Sequence, residues 1–203
     1  MHARYAAKKV AFLTQHGKES LLAPLLEPTL GCEILRAEGY DTDMLGTFSG
    51  DIKRVDSQLK TAKRKARMGM RLTGLTIGVG SEGAFVPDPY GGLMPWNIEV
   101  LTWLDDDHGL EIVGMAQGPA RSLQRSLRNE AELEAFAKEA GFPEHQLLLR
   151  PHDEADLRMQ KGLASWADLK QAFTQCLRAS ENSCVFAEND LRAFCNPTRQ
   201  WMI

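Results

Sequence analysis

The chain has 203 residues, of which 43% are hydrophobic and 25% are charged, a composition typical of a folded globular protein. Its formal net charge of −3 argues against broad, nonspecific nucleic-acid binding, although a local basic patch is compatible with that charge. No apolar run approaches the ~20 residues that are needed to span a membrane. These features predict a folded domain that is not inserted in a membrane.

Two features predict a cytoplasmic location. The first residues are not followed by an apolar signal-peptide core, so we expect a flexible leader at residues 1–8 and a single domain at residues 9–203. The cysteines are widely spaced and form no C-x-x-C pair: Cys32, Cys176, Cys184 and Cys195. Such spacing predicts reduced thiols and no zinc site within the chain.

The first part of the chain predicts a strand, a loop, a helix and a second strand. The apolar run Lys9–Leu13 is followed by a Gly-containing loop, and leucines recur at helical spacing over Glu19–Leu30. A second apolar run starts at Cys32, directly after Gly31. This order is the βαβ unit of α/β proteins, so we predict a single α/β domain with a central mixed sheet flanked by helices.

The following elements are predicted from caps, turns and periodicity. A polar loop leads to a basic helix from Gln58 to about Leu72, capped by Ser57 and closed by Gly74. A strand at 75–79 is expected to end in a Gly-Ser-Glu-Gly turn and a Gly/Pro-rich loop. Further along we expect strands at 98–104, 110–116, 146–150 and 184–187, and helices at 124–140 and 162–179.

A possible anion site follows the first strand, at Thr14, His16, Gly17 and Lys18. Backbone N–H groups at a helix N-terminus attract anions, and Lys18 adds a positive charge. The segment is not a Walker A motif, so an ordinary β–α turn with a solvated lysine fits the same pattern. We predict phosphate binding here as one of these two interpretations.

A set of acidic residues suggests a metal site. Mg²⁺ is bound by carboxylate oxygens together with substrate phosphates. We therefore predict Asp41, Asp43 and Glu82 as metal ligands, with Glu82 and Asp43 as catalytic groups. The alternative for the two aspartates is turn formation and solvation.

The basic helix and the C-terminal segment supply further candidate phosphate contacts. At about 100° per residue, Lys65 lies near the alanine face of its helix, whereas Lys63 is expected to face water. No aromatic residue within the helix offers a stacking surface for RNA. Arg192 and Arg199 can each bind phosphate through two N–H groups, or can form a salt-bridged helix cap. If the last strand lies parallel to the first, one of these arginines faces the Thr14–Lys18 loop across a cleft with Glu82 on its rim.

Five segments resemble an uncharacterised bacterial family, a domain of unknown function: HGKE, YDTDMLGTFSG, SQLKTAKRKARMG, SEGAF and NDLRAFCNPTR. This resemblance covers nearly the whole chain and implies no activity. In that family a Cys-rich ribbon can follow the NPTR segment, and residues 1–203 end before any such ribbon.

A second resemblance covers about residues 9–85, which are similar to inosine-triphosphate pyrophosphatases and Maf-type nucleotide hydrolases. The matching residues are Ala62, Lys65, Ala66, Thr73, Gly74, Leu75 and Gly83. The resemblance implies the fold of those enzymes, phosphate contacts at Lys18 and Lys65, and an acid near Glu82 as metal ligand or base. The chain departs from the pattern, because Gly-Ser-Glu-Gly replaces the usual Asp-Asp-Ser-Gly.

Together these patterns predict a Mg²⁺-dependent hydrolase of a nucleotide or related phosphate ester, without an organic cofactor. A nucleotide- or RNA-binding module without turnover, and an interaction domain of a longer protein, are the alternatives. The expected partner is a small phosphate ligand; nucleic acid is not favoured, and a homo-oligomer is left open.

Overall fold

The computed structural model describes residues 2–15, 17–42 and 57–203. They form two compact units, one of residues 1–120 with 199–203 and the other of residues 121–198. Each unit contains one sheet with helices packed on it. The predicted extent of a single domain over residues 9–203 stays a prediction.

The first unit contains a five-stranded mixed sheet in the order β2-β1-β3-β4-β5. β1 is parallel to both β2 and β3, and β3, β4 and β5 are antiparallel neighbours. This arrangement confirms the predicted mixed α/β class. The elements of this unit are α1 (His2–Tyr5), β1 (Lys9–Leu13), α2 (Glu19–Leu30), β2 (Glu33–Ala37), α3 (Gln58–Thr73), β3 (Ile77–Pro87), β4 (Pro95–Asp105) and β5 (Leu110–Pro119).

The two long helices of this unit cover opposite faces of the sheet. On one face Leu22 of α2 packs in a cluster with Phe12 and Val79. On the other face Ala66 and Met70 of α3 pack with Ala11 and Leu104. Successive side chains of a strand point to opposite faces, so β1 and β4 contribute to both clusters. The sequence of β3 therefore decides which of its polar side chains lies beneath which helix.

β3 is longer than predicted, because it continues through the Gly-Ser-Glu-Gly segment that was predicted to be a turn. Gly80 pairs with Thr102 and Gly83 pairs with Glu99 in an unbroken antiparallel ladder. Gly80 allows α3 to pack closely, since a Cβ atom there would overlap the carbonyl oxygen of Ala62. The turn prediction was wrong because these glycines serve close packing rather than a change of chain direction.

The N-terminal segment that was predicted to be a flexible leader is partly anchored. Tyr5 is buried, and its hydroxyl donates a 3.0 Å hydrogen bond to Asp105 Oδ2. Its ring stacks edge-to-face on Trp103 with the centroids 5.0 Å apart. Tyr5 therefore belongs to the core of the first unit.

The second unit contains a four-stranded antiparallel sheet in the order β6-β9-β7-β8. Two helices supply Phe136 and Phe173 to its core. Its elements are β6 (Gln124–Leu127), α4 (Glu130–Ala140), β7 (Leu147–Arg150), β8 (Gln160–Leu163), α5 (Trp166–Ala179), β9 (Val185–Asn189) and a 3₁₀ turn (Ala193–Cys195). The last helix, α6 (Pro197–Met202), contains the boundary between the two units.

Two predictions are corrected in this unit. The helix predicted at 124–140 begins only at Glu130, because Asn129 caps it and residues 124–127 pair with β9. The one-cleft arrangement was conditional on the last strand lying parallel to the first. Instead β9 pairs antiparallel with β6 and β7 in the second sheet.

The predicted ends of α3 are confirmed. Ser57 caps this helix by accepting a backbone N–H, and Gly74 ends it in the left-handed conformation. Ser165 caps α5 in the same way as Ser57 caps α3. All four cysteines are free and buried. Among the described residues, none of the helices has the length and apolar character needed to cross a membrane.

Candidate functional site

The parallel part of the first sheet forms a topological switch point. β1 has β2 on one side and β3 on the other, so the connections that leave the carboxyl ends of these strands diverge. Open α/β sheets bind ligands in the crevice at such a point. Here Gly17, with a φ of 65°, turns the chain from β1 into α2, and Lys18 takes the N-cap position of that helix.

Lys18 is a buried lysine with two polar partners. Its side-chain Nζ donates a 2.9 Å hydrogen bond to Ser81 Oγ and lies 3.3 Å from Glu99 Oε2. Burial lowers the pKa of Lys18 to about 8, against the opposing effect of Glu99. Arg199 and Lys65 lower the pKa of Lys18 further, whereas Glu82 raises it.

Glu99 links Lys18 to the C-terminal end of the chain. Its Oε1 accepts hydrogen bonds from Arg199 Nε at 2.6 Å and from Asn97 Nδ2 at 3.1 Å. Burial favours the neutral form of Glu99, but Lys18 and Arg199 outweigh it, so the pKa of Glu99 is lowered. Arg199 is only 1% exposed, and its guanidinium lies 5.9 Å from the ring centroid of Phe85. The carboxylate is therefore ionised and held between two buried cations.

Gly83 makes room for this ion network. A Cβ atom at Gly83 would overlap Arg199 Nη2 and would lie 2.5 Å from Glu99 Oε1. The absence of a side chain at this position thus allows the arginine to reach across β3 to the glutamate on β4.

Glu82 and Lys65 form a second ion pair, on the face of the sheet that α3 covers. Lys65 Nζ lies 2.6 Å from Glu82 Oε2, and both side chains are largely buried. Because side chains alternate along a strand, Glu82 points toward α3 while Ser81 and Gly83 face the Lys18 side. The prediction that Lys65 points inward is confirmed, whereas Lys63 pairs with Glu111 at the surface.

The other predicted site residues occupy different places. Thr14 is buried at the end of β1, and Asp41 is exposed next to Thr42, whose Oγ1 donates a 2.9 Å hydrogen bond to Gln15 Oε1. Arg192 belongs to the second unit, where its Nε donates to Asp190. The predicted residues His16 and Asp43 lie outside the described residues.

The described residues provide little for a metal ion by themselves. Within residues 2–15, 17–42 and 57–203, no group of three or more His, Cys, Asp or Glu side chains could hold a metal. Glu82 is the predicted ligand that lies beside the cations, and its carboxylate is bonded to Lys65. A Mg²⁺ ion bound by Glu82 would therefore have to take its remaining ligands from substrate phosphates and water.

Sequence reasoning missed three members of the network: Ser81, Asn97 and Glu99. Asn97 and Glu99 are two residues apart on β4, so they lie on the same face of the strand as Leu101 and Trp103. Two polar side chains on an otherwise apolar strand face were the available signal. Ser81 carried no signal of its own, because a serine between glycines is equally typical of a turn.

A cavity of about 230 Å³ adjoins the network on the Lys18 side of the sheet. Of the described residues that line it, Ser81 and Glu99 carry the polar side chains. Its other walls are apolar and include Leu101, Met115, Met202 and Ile203. Ser81 thus lines a space that a small group can enter, and its hydroxyl contacts Lys18.

These features define an α/β protein with a buried ion network at the switch point of a mixed sheet. The chain belongs to the DUF6671 family, a domain of unknown function, whose model matches residues 65–203. The matched part contains Lys65, Ser81, Glu82, Glu99 and Arg199, and Lys18 lies before it. No match was found among curated proteins or among solved structures.

Proposed function

We propose that the protein binds a nucleotide or related phosphate ester at the switch point of the first unit and hydrolyses it in the presence of Mg²⁺. The observation that carries this proposal is the convergence of three cations, Lys18, Lys65 and Arg199, on two carboxylates. With Lys18 protonated, three positive charges and two negative charges leave a net charge of +1. A site with that charge attracts a phosphoryl group.

Three members of the network, Lys18, Arg199 and Glu82, have a proposed part in binding. Lys18 stands at the N-terminus of α2, where backbone N–H groups and the helix dipole favour an anion. Arg199 stays protonated and offers a planar set of donors for phosphate oxygens. Glu82 is the proposed protein ligand of Mg²⁺, which supplies positive charge to the phosphate oxygens when it is bound. Asp41, Asp43, His16 and Arg192 stay predictions as ligand contacts.

A second candidate function is binding without turnover. The observation that favours it is the 2.6 Å pair between Lys65 and Glu82, which neutralises the proposed metal ligand. A nucleotide-binding module would need the cations alone. In either case we propose a small phosphate ligand. We also propose a cytoplasmic location, because all four thiols are free.

A phosphate-release assay separates the two candidates. We expect the wild-type protein to release phosphate or pyrophosphate from at least one member of a nucleotide and phosphate-ester panel with Mg²⁺ or Mn²⁺, and EDTA to abolish this release. Glu82→Gln should lower turnover by at least ~100-fold, in the range found when one charge-stabilising group is removed from an active site. Ligand-induced thermal stabilisation without turnover would favour the binding module.

The two lysines of α3 provide a matched test of the binding site. Lys65→Met should weaken binding of the ligand by at least about tenfold, because it removes an inward-facing cation, and a hydrogen bond to a charged group is worth ~1.5–3 kcal/mol. Lys63→Met should leave affinity unchanged, since Lys63 pairs with Glu111 at the surface. Titration calorimetry on both variants measures the difference, and equal affinities would remove Lys65 from the site.

A further inference from the structure

Ser81, Lys18 and Glu99 form a chain of hydrogen bonds with the geometry of an activated nucleophile. Ser81 Oγ lies 2.9 Å from Lys18 Nζ, which lies 3.3 Å from Glu99 Oε2. Glu99 is itself held by Arg199 and Asn97 on its other oxygen. A nucleophile next to a base that a third group orients is the arrangement found in covalent catalysis by serine.

Ser81 lies next to a space that a small substrate group can enter. It is 5% exposed, and it lines the cavity of about 230 Å³ together with Glu99. Among the described lining residues, Ser81 is the one that carries a hydroxyl, so it is the candidate nucleophile toward an electrophilic group in the cavity. The backbone of β4 keeps Ser81 in place, since Ser81 pairs with Leu101 inside a long antiparallel ladder.

The charges around Lys18 allow it to lose its proton near neutral pH. Burial lowers the pKa of Lys18 to about 8, and the charged groups near enough to affect it are Glu99 on β4, Arg199 on α6, Lys65 on α3 and Glu82 on β3. Arg199 shares the Glu99 carboxylate with Lys18, and its positive charge opposes the upward effect of Glu99 on the pKa of Lys18. A base must be unprotonated in a usable fraction at the working pH, and these surroundings meet that requirement.

We propose that Ser81 is the nucleophile of the phosphate-ester cleavage and that Lys18 is its general base. This inference rests on the proposed function, for which it names the reaction path. Neutral Lys18 takes the proton of the Ser81 hydroxyl while Oγ forms a bond to phosphorus. The bond from phosphorus to the leaving oxygen breaks, its electron pair departs with the leaving group, and that oxygen takes the proton from the Lys18 ammonium.

The second half of the path returns the enzyme to its starting state. Neutral Lys18 removes a proton from a water molecule, whose oxygen attacks the phosphorus of phosphoserine. The bond between phosphorus and Ser81 Oγ breaks, and Oγ recovers a proton from the Lys18 ammonium. The sum is the hydrolysis of one ester or anhydride bond by one water, with no oxidant or reductant.

An organophosphorus probe tests the dyad without knowledge of the substrate. We expect an alkyl fluorophosphonate to form one adduct at Ser81 of the full chain, with loss of fluoride, detected by intact mass and peptide mapping. The labelling rate should rise as the pH passes through about 8, because that is where Lys18 loses its proton. Lys18→Met should slow labelling by at least tenfold, and Ser81→Ala should abolish it.

Controls make this result specific. Ser165 caps α5 with no lysine bonded to its hydroxyl in the described contacts, so it should stay unlabelled. The pH profile of the wild-type protein needs no variant, so the test holds even where Lys18→Met fails to fold. Absence of an adduct at Ser81, or a rate that does not change between pH 6 and pH 10, would overturn the assignment.

The turnover assay then separates this inference from the proposed function. If the wild type releases phosphate and the Ser81→Ala variant still does so, Ser81 is not the nucleophile, but the protein is a hydrolase as proposed. Conversely, Lys18-dependent labelling of Ser81 in a protein that cleaves no phosphate ester would support the dyad and reject the proposed substrate class. Loss of turnover in Ser81→Ala, together with a trapped phosphoserine in acid-quenched wild type, would support both.

Discussion

Replacement of Glu99 by glutamine should lower the free energy of unfolding by about 3–5 kcal/mol, the usual cost of removing one partner from a buried ion pair. Glutamine keeps the size of the side chain but removes the charge that holds both Lys18 and Arg199. Two cations are then left buried without their shared carboxylate. The same change removes the upward effect of Glu99 on the pKa of Lys18, so that pKa should fall further below its usual range.

Urea denaturation measures this loss of stability when the Glu99→Gln variant is compared with the Glu111→Gln variant. Glu111 pairs with Lys63, but both side chains are partly exposed, so we expect a change within about 1 kcal/mol there. A Glu99→Gln variant as stable as Glu111→Gln would show that Lys18 and Arg199 do not depend on the carboxylate. In that case the network is not the rigid unit that the proposed chemistry requires.

Gly80→Ala should destabilise the protein by about 3 kcal/mol, at the upper end of the usual cost of overpacking. A Cβ atom at Gly80 would overlap the carbonyl oxygen of Ala62 and lie 2.9 Å from the backbone N of Ala66. Both obstacles belong to the backbone of α3, so no side-chain rotation relieves them. The helix must move away from β3, and Lys65 must move with it.

Gly114→Ala is the matched control for this change. Gly114 lies on β5 of the same sheet, and no atom within 4 Å meets a Cβ atom built there. We expect its stability to stay within about 0.5 kcal/mol of wild type. Thermal or urea denaturation compares the two, and a Gly80→Ala variant that unfolds like Gly114→Ala would contradict the close contact between α3 and β3.

These two changes affect the site by different routes. Glu99→Gln alters its charges while the backbone stays in place, whereas Gly80→Ala alters the position of the helix that carries Lys65. If Ser81 is the nucleophile, its labelling should respond mainly to Glu99→Gln, because Lys18 and Ser81 lie on the face of β3 opposite to α3. Comparison of labelling in the two variants therefore separates charge from packing.

Local features of the chain were sufficient to predict its first half in outline. The run Lys9–Leu13, the leucines of Glu19–Leu30 and the second apolar run predict β1, α2 and β2, because burial imposes the period of each element on the sequence. Ser57 and Gly74 define α3 for equally local reasons, since caps act on backbone groups within one turn. The inward direction of Lys65 follows from helix periodicity alone.

Contacts between distant residues decided the rest. Gly80 and Gly83 were predicted to form a turn. The sequence does not distinguish a glycine that permits a turn from a glycine that permits close packing, because both simply lack a Cβ atom. Residues 124–127 were predicted to be helical, but they form a strand that pairs with β9. That pairing joins residues about 60 positions apart. Strand pairing depends on such partners more than on intrinsic preference.

The sequence by itself determined the α/β class, the two flanking helices of the first sheet and the presence of Lys18 at the end of β1. Only the tertiary structure decided that Lys18 contacts Ser81 and Glu99, and that Arg199 reaches Glu99 from a position 100 residues further along the chain. Local periodicity indicates which face of an element is buried. It does not indicate which buried charged side chains will pair with each other, because that depends on the order of strands in the sheet and on the alternation of side chains across it.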